Sequence, residues 1–167
     1  MGYREDGVVV RNDLQLPDDD RFEQGPVVLI ECVQEIPCNP CAESCPQGAI
    51  MIQPTLNDLP RVDFEKCIGC GSCIARCPGL AIFMVDQAFE KKRSSVSMPY
   101  EFIPLPVKGE RVVVLDRSGI PCGEGEIIRI WNTQSHDRTP VVSVAVEKRL
   151  AMTVRHFKRK CKADGRK

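Results

Sequence analysis

From Cys67 to Pro78 the chain reads Cys-Ile-Gly-Cys-Gly-Ser-Cys-Ile-Ala-Arg-Cys-Pro, four cysteines at C-x2-C-x2-C-x3-C-P spacing. No other stretch limits the fold so tightly. Three thiols two residues apart sit on one short loop and can point at a common centre. Gly69 and Gly71 let the backbone approach that centre and offer it N–H groups. A related run lies upstream, Cys38-Asn39-Pro40-Cys41-Ala42-Glu43-Ser44-Cys45-Pro46. A constant shift of 32 positions lays Cys38, Cys41 and Cys45 on Cys70, Cys73 and Cys77. The same shift lays Pro46 on Pro78 and Ala49-Ile50 on Ala81-Ile82. The repeat fails at one place. Cys67 corresponds to Glu35, and the nearest spare thiol, Cys32, lies three residues earlier.

Thiolates at this spacing are the ligand run of cubane iron–sulfur clusters. Through both runs the chain resembles the two-cluster bacterial ferredoxins, closely in the second half and with a departure at Glu35 in the first. In that pattern the cysteine before the proline serves the other cluster. The resemblance therefore implies Cys32, Cys38, Cys41 and Cys77 at a first cluster, and Cys45, Cys67, Cys70 and Cys73 at a second. Cys32 joins its set if residues 33–37 form a rewound loop. A three-iron [3Fe-4S] cluster, or Glu35 as an oxygen ligand, are the alternatives there. Two [4Fe-4S] clusters are the expected cofactors, and they use eight of the ten cysteines. Zinc needs four ligands per ion, and two in-register runs ending C-x3-C-P fit it poorly. A disulfide framework belongs to secreted chains. Here Met1-Gly2-Tyr3-Arg4-Glu5-Asp6 runs into mixed polar sequence with no apolar signal core.

Charge narrows the partners. Lysine and arginine number 23, as do aspartate and glutamate, so the net charge is zero. That removes any global attraction to nucleic acid or to a membrane surface. Aromatic residues are 5% of the chain, too few for base stacking to be a theme. No apolar run approaches the roughly 20 residues that span a bilayer. A reducing cytoplasm, and an anaerobic host, are the setting expected.

The expected fold is α+β: a two-[4Fe-4S] ferredoxin-like domain with pseudo-twofold symmetry, then a small SH3-like β-barrel. Residues 1–26 read as an N-terminal arm, with a short strand at Val8-Val9-Val10. That arm is either solvated or docked on a partner subunit. Residues 27–90 hold the dicluster domain, built from strand–turn–strand units at Val27–Ile30, Ala49–Ile52, Arg61–Phe64 and Leu80–Val85. Residues 91–103 read as a charged and polar linker. Residues 104–157 form the small β domain, with strands near 110–115, 123–131 and 141–146. Leu150, Val154 and Phe157, at i, i+4 and i+7, suit one face of a closing helix. Residues 158–167 are a basic tail. Cys122, Cys161, His136 and His156 lack partners at ligand or catalytic spacing and read as ordinary side chains.

No phosphate loop, dinucleotide fingerprint or nucleophile–base pair appears. The chain is thus expected to be no enzyme on its own, but a carrier of single electrons. Its length beyond the clusters favours a fixed subunit over a free ferredoxin. The flanking segments "IECVQEIPCNPC", "PYEFIPLP" and "LAM.VR" resemble the small dicluster subunits of FAD-dependent dehydrogenases acting on proline or hydroxyproline. That resemblance implies flavoprotein partners in a hetero-oligomer, with FAD or FMN held only by them. A free ferredoxin, or a subunit of a hydrogenase or molybdenum enzyme, is the alternative. A nucleic-acid-linked iron–sulfur protein using the barrel and basic tail is a third reading, opposed by the neutral charge.

Overall fold

The 32-residue repeat is visible in the backbone as a pair of interlocked units. The structure is a computed structural model that describes residues 3–136 and 138–160. Two short helices lead in, α1 (Tyr3–Asp6) and α2 (Asp19–Glu23). The repeat units follow: β1 (Val27–Ile30), α3 (Pro40–Glu43) and β2 (Ile50–Met51), then β3 (Arg61–Val62), α4 (Ser72–Arg76) and β4 (Ile82–Asp86). Each unit's first strand pairs with the other unit's last. Ile30 faces Ile82 in the antiparallel β1–β4 pair, and Val62 faces Ile50 in the β2–β3 pair. The loop contacts repeat as well. Glu31 N–H donates to Ala81 O at 2.8 Å, and Asp63 N–H to Ala49 O at 2.7 Å. Gly48 and Leu80, also 32 apart, both adopt left-handed backbone, with φ of 57° and 52°. Glycine carries that conformation freely and leucine at a cost of about 1 kcal/mol.

Five more strands extend the β1–β4 pair: β5 (Arg93–Pro99), β6 (Arg111–Leu115), β7 (Pro121–Trp131), β8 (Val141–Glu147) and β9 (His156–Arg159). They complete one antiparallel sheet of seven strands in the order β1-β4-β5-β8-β7-β6-β9. Val96, Val114, Ile127, Val144, Leu150, Val154 and Phe157 fill its core, all buried. A second core packs β1 and β4 against the two helical turns and includes Cys41, Cys73 and Ile74.

Several expectations need correction. The SH3-like barrel is not closed, since β1 and β9 end an open order and no pairing joins them among the described residues. Residues 93–99, expected in a linker, form a central strand. Val85 and Val144 lie on either side of Val96 in that sheet. Three serines disguised it. One of them, Ser97, shares a hydrogen bond with Ser143 across the β5–β8 pair at 2.7 Å, so its hydroxyl is satisfied in the interior. The closing helix is instead a 3-10 turn, Lys148–Leu150, followed by β9. Leu150, Val154 and Phe157 reach the core as expected, but by turn and strand. Residues 8–10 form no strand. The N-terminal arm is neither solvated throughout nor free. Gln15 bonds both main-chain groups of Val62, and α2 buries Arg21 and Phe22 against the repeat units. Of the tail, Lys158 and Arg159 belong to β9, and Cys161 lies outside the described residues.

Candidate metal centres

The crossed strands bring eight thiols to two hollows. Cys32, Cys38, Cys41 and Cys77 line one, beside Ile30, Ile36 and Ile82. Cys45, Cys67, Cys70 and Cys73 line the other, beside Val28, Ala49 and Ile50. The last cysteine of each run thus faces the hollow of the opposite run. The reason is local. α3 and α4 each supply one turn, and the proline after Cys45 and Cys77 turns the chain away from its own loop. Electrostatic coupling follows the same partition. Cys41 feels Cys77 and Cys38, Cys77 feels Cys32 and Cys38, and Cys73 feels Cys67, Cys70 and Cys45. Cys32 lies on the first hollow, whereas Glu35 is exposed and does not line it.

Burial raises the thiols of Cys41, Cys73 and Cys77. It pushes Cys41 up to about 11, with Cys77 and Cys38 adding to the rise. Cys73 is driven up further by burial and then by its three neighbours. Cys77 is raised by burial and partly relieved by the Ala81 and Gly79 N–H groups. Four neighbouring thiols in an apolar hollow cannot all ionise without a cationic centre among them, so loading such a site releases protons. Among the described residues, no three histidine, cysteine, aspartate or glutamate side chains close on one point as a single ion requires. A mononuclear zinc site gathers its sulfurs at about 2.3 Å from one metal. A cube spreads them over separate irons, and the donor set fits that group. Two backbone bonds to sulfur repeat with the chain: Ala49 N–H donates to Cys45 Sγ at 3.3 Å, and Ala81 N–H to Cys77 Sγ at 3.4 Å. Such bonds stabilise thiolate charge and raise a cluster's potential.

Residues outside the motifs complete the surroundings. Pro26 packs on the second loop so closely that a Cβ at Gly69, φ 62°, would come within 2.4 Å of Pro26 O. Trp131 at the end of β7 lies on the same loop, where a Cβ on Gly71 would meet its ring at 2.7 Å. Arg129 stacks 4.0 Å from the Trp131 centroid. Beside Cys32, the Glu31 carboxylate accepts from Arg117 Nε and Nη2 at 2.8 and 2.6 Å, and from Arg155 Nε at 2.6 Å. Arg21 donates to the carbonyl of Cys67. No local pattern signals these contacts except at Arg21, whose acidic neighbour Asp18 has N-cap character.

Similarity to known proteins falls on the same stretch of chain. Residues 31–81 match the 4Fe-4S dicluster domain family. The ferredoxin-type protein NapF of Escherichia coli K12 is 41% identical over 51 residues, covering 29% of this chain and 31% of that protein. One component of the ion-translocating oxidoreductase complex of Methanosarcina acetivorans is 45% identical over 47 residues, 28% of this chain and 17% of its own length. A probable iron-sulfur protein of the Frd operon of Proteus vulgaris is 36% identical over 58 residues, 35% of each chain. The chain therefore spans about a third or less of these relatives. No solved structure matches it. No helix among the described residues is long and apolar enough to cross a membrane. Residues 31–81, which contain all eight cysteines of the two hollows, are a 4Fe-4S dicluster domain of ferredoxin type.

Proposed function

We propose that the chain is a non-catalytic electron-transfer subunit of a cytoplasmic oxidoreductase complex, relaying single electrons through two [4Fe-4S] clusters. The first is held by Cys32, Cys38, Cys41 and Cys77, and the second by Cys45, Cys67, Cys70 and Cys73. The partition of eight thiols between two hollows carries this reading. Each cluster, when bound, takes up and gives back one electron. The chain's own residues do the rest. The cysteines fix the two sites, the Ala49 and Ala81 amides temper two of the sulfurs, and β1 and β4 keep water from the inner faces. Cys70 is exposed, so the second site has the more open edge toward a redox partner.

A fixed partner is favoured by surface as well as by length. Phe102, Ile103 and Val107, apolar side chains close in sequence, are 60%, 91% and 62% exposed, and a partner's surface would cover them. Two of the relatives are named for an ion-translocating oxidoreductase complex and for the Frd operon, which suits a role within a complex. The finer reading, a flavoprotein dehydrogenase acting on proline or hydroxyproline, rests on the flanking segments alone. Anaerobic co-purification of the tagged chain from its host tests it. Stoichiometric partner subunits carrying flavin that bleaches with proline or hydroxyproline are expected. Flavin-free redox partners would replace the dehydrogenase by another complex, and a lone cluster-bearing chain would make it a free ferredoxin.

A further inference from the structure

Arg21 places a buried cation against the main chain of the second cysteine loop, from a segment outside the 31–81 domain. Asp18 caps α2 by accepting the Arg21 N–H at 2.8 Å, and that turn directs the side chain beneath the second cysteine loop. The residue is 7% exposed. Its guanidinium donates to Phe64 O at 2.9 Å, Pro26 O at 3.2 Å, Gly25 O at 3.4 Å and Cys67 O at 2.5 Å. These acceptors are main-chain dipoles. Among the described residues no carboxylate forms an ion pair with it, whereas the buried Arg155 and the largely buried Arg117 share Glu31. A guanidinium out of water without a counter-charge is strongly disfavoured. The negative group this position calls for is the one the neighbouring thiols hold. A cube ligated by four thiolates is net negative when oxidised and more so when reduced.

We infer that Arg21 is the counter-charge of the second cluster, and that it raises that cluster's reduction potential and biases the relay toward placing the electron there. The inference rests on the two-cluster reading above. A bound second cluster would gain one electron from the redox partner with no bond change, and Arg21, donating to the Cys67 carbonyl, would stabilise the added negative charge. The repeat supplies an internal control. The contacts of Arg21 fall on residues 25, 26, 64 and 67 and on none of the cysteines of the first set.

The experiment is an anaerobic, EPR-monitored redox titration of the full chain, with iron counted, for wild type, Arg21→Lys and Arg21→Gln. The second cluster's signal is identified as the one altered by Cys70→Ser. Arg21→Gln keeps donors but loses the charge. It should move the second cluster's midpoint to a more negative value and leave the first unchanged, while Arg21→Lys retains the wild-type value. Unchanged midpoints in Arg21→Gln, or equal movement of both, would overturn the inference. If Arg21→Gln fails to hold its second cluster, Arg21→Lys decides. A wild-type midpoint supports the counter-charge, and a fall despite the retained charge refutes it. Wild-type protein without clusters would instead defeat the two-cluster reading itself.

Discussion

Replacing Glu31 by glutamine tests how the cluster lobe is tied to the strands beyond it. Glu31 directly precedes Cys32, while Arg117 follows β6 and Arg155 precedes β9. The side chains of Glu31 and Arg155 are 7% and 4% exposed, and that of Arg117 15%. Water therefore screens little of the interaction. An exposed pair would contribute about 0–1 kcal/mol. Removing one member of a buried pair strands the other charge and costs about 3–5 kcal/mol. Here two cations depend on one carboxylate. Burial already pushes the Arg155 guanidinium down, Glu31 counters that, and Arg155 Nη2 is buried without a partner. Because cluster loss makes unfolding irreversible, the readout is a rate. Even if half of the 3–5 kcal/mol is still present at the transition state, Glu31→Gln should unfold at least about ten times faster. The assay is urea unfolding under anaerobic conditions, followed by Trp131 fluorescence and by cluster absorbance. Both probes should accelerate together, because the network joins both lobes. A change of less than about threefold, the size expected of a surface pair, would refute the reasoning.

Two further outcomes follow from local geometry. Gly48 and Gly69 share left-handed backbone, but only Gly69 is crowded, by Pro26. Gly48→Ala should cost about 1 kcal/mol and keep both clusters. Gly69→Ala should cost more and reduce iron to about four per chain by loss of the second cluster. Equal effects in melting and iron assays would contradict the Pro26 contact. Burial holds His156 below its ordinary value, so the unfolded chain binds the proton first. Its contribution is complete above about pH 6.5 and lost as the pH falls below that. His156 lies against Tyr100, Phe102 and Phe157, so His156→Phe should remove part of the acid sensitivity of the melting temperature. Parallel pH profiles for variant and wild type would count against it.

What the sequence disclosed divides by range. The cysteine runs were legible because cluster ligation demands fixed spacing, and the repeat carried β1, β2, β3 and β4 with it. The strands at 111–115, 121–131 and 141–147 were legible from β-branched alternation. β5 was not, because Ser94, Ser95 and Ser97 imitate a loop until Ser143 is known to face Ser97. The helix expected at 150–157 failed because apolar spacing alone does not distinguish a turn and strand from a helix. Pro26, Glu31 and Trp131 act through contacts across the chain, which no local pattern encodes, and at Arg21 only the Asp18 N-cap is local.

The crossed ligand sets are tested most directly by counting iron and recording EPR spectra of anaerobically prepared wild type, Cys41→Ser, Cys45→Ser, Cys70→Ser and Cys77→Ser. About eight irons per wild-type chain are expected. Cys45→Ser should disturb the same signal as Cys70→Ser, and Cys77→Ser the same signal as Cys41→Ser. About four irons in the wild type, or Cys45→Ser disturbing the signal that Cys41→Ser disturbs, would contradict the arrangement.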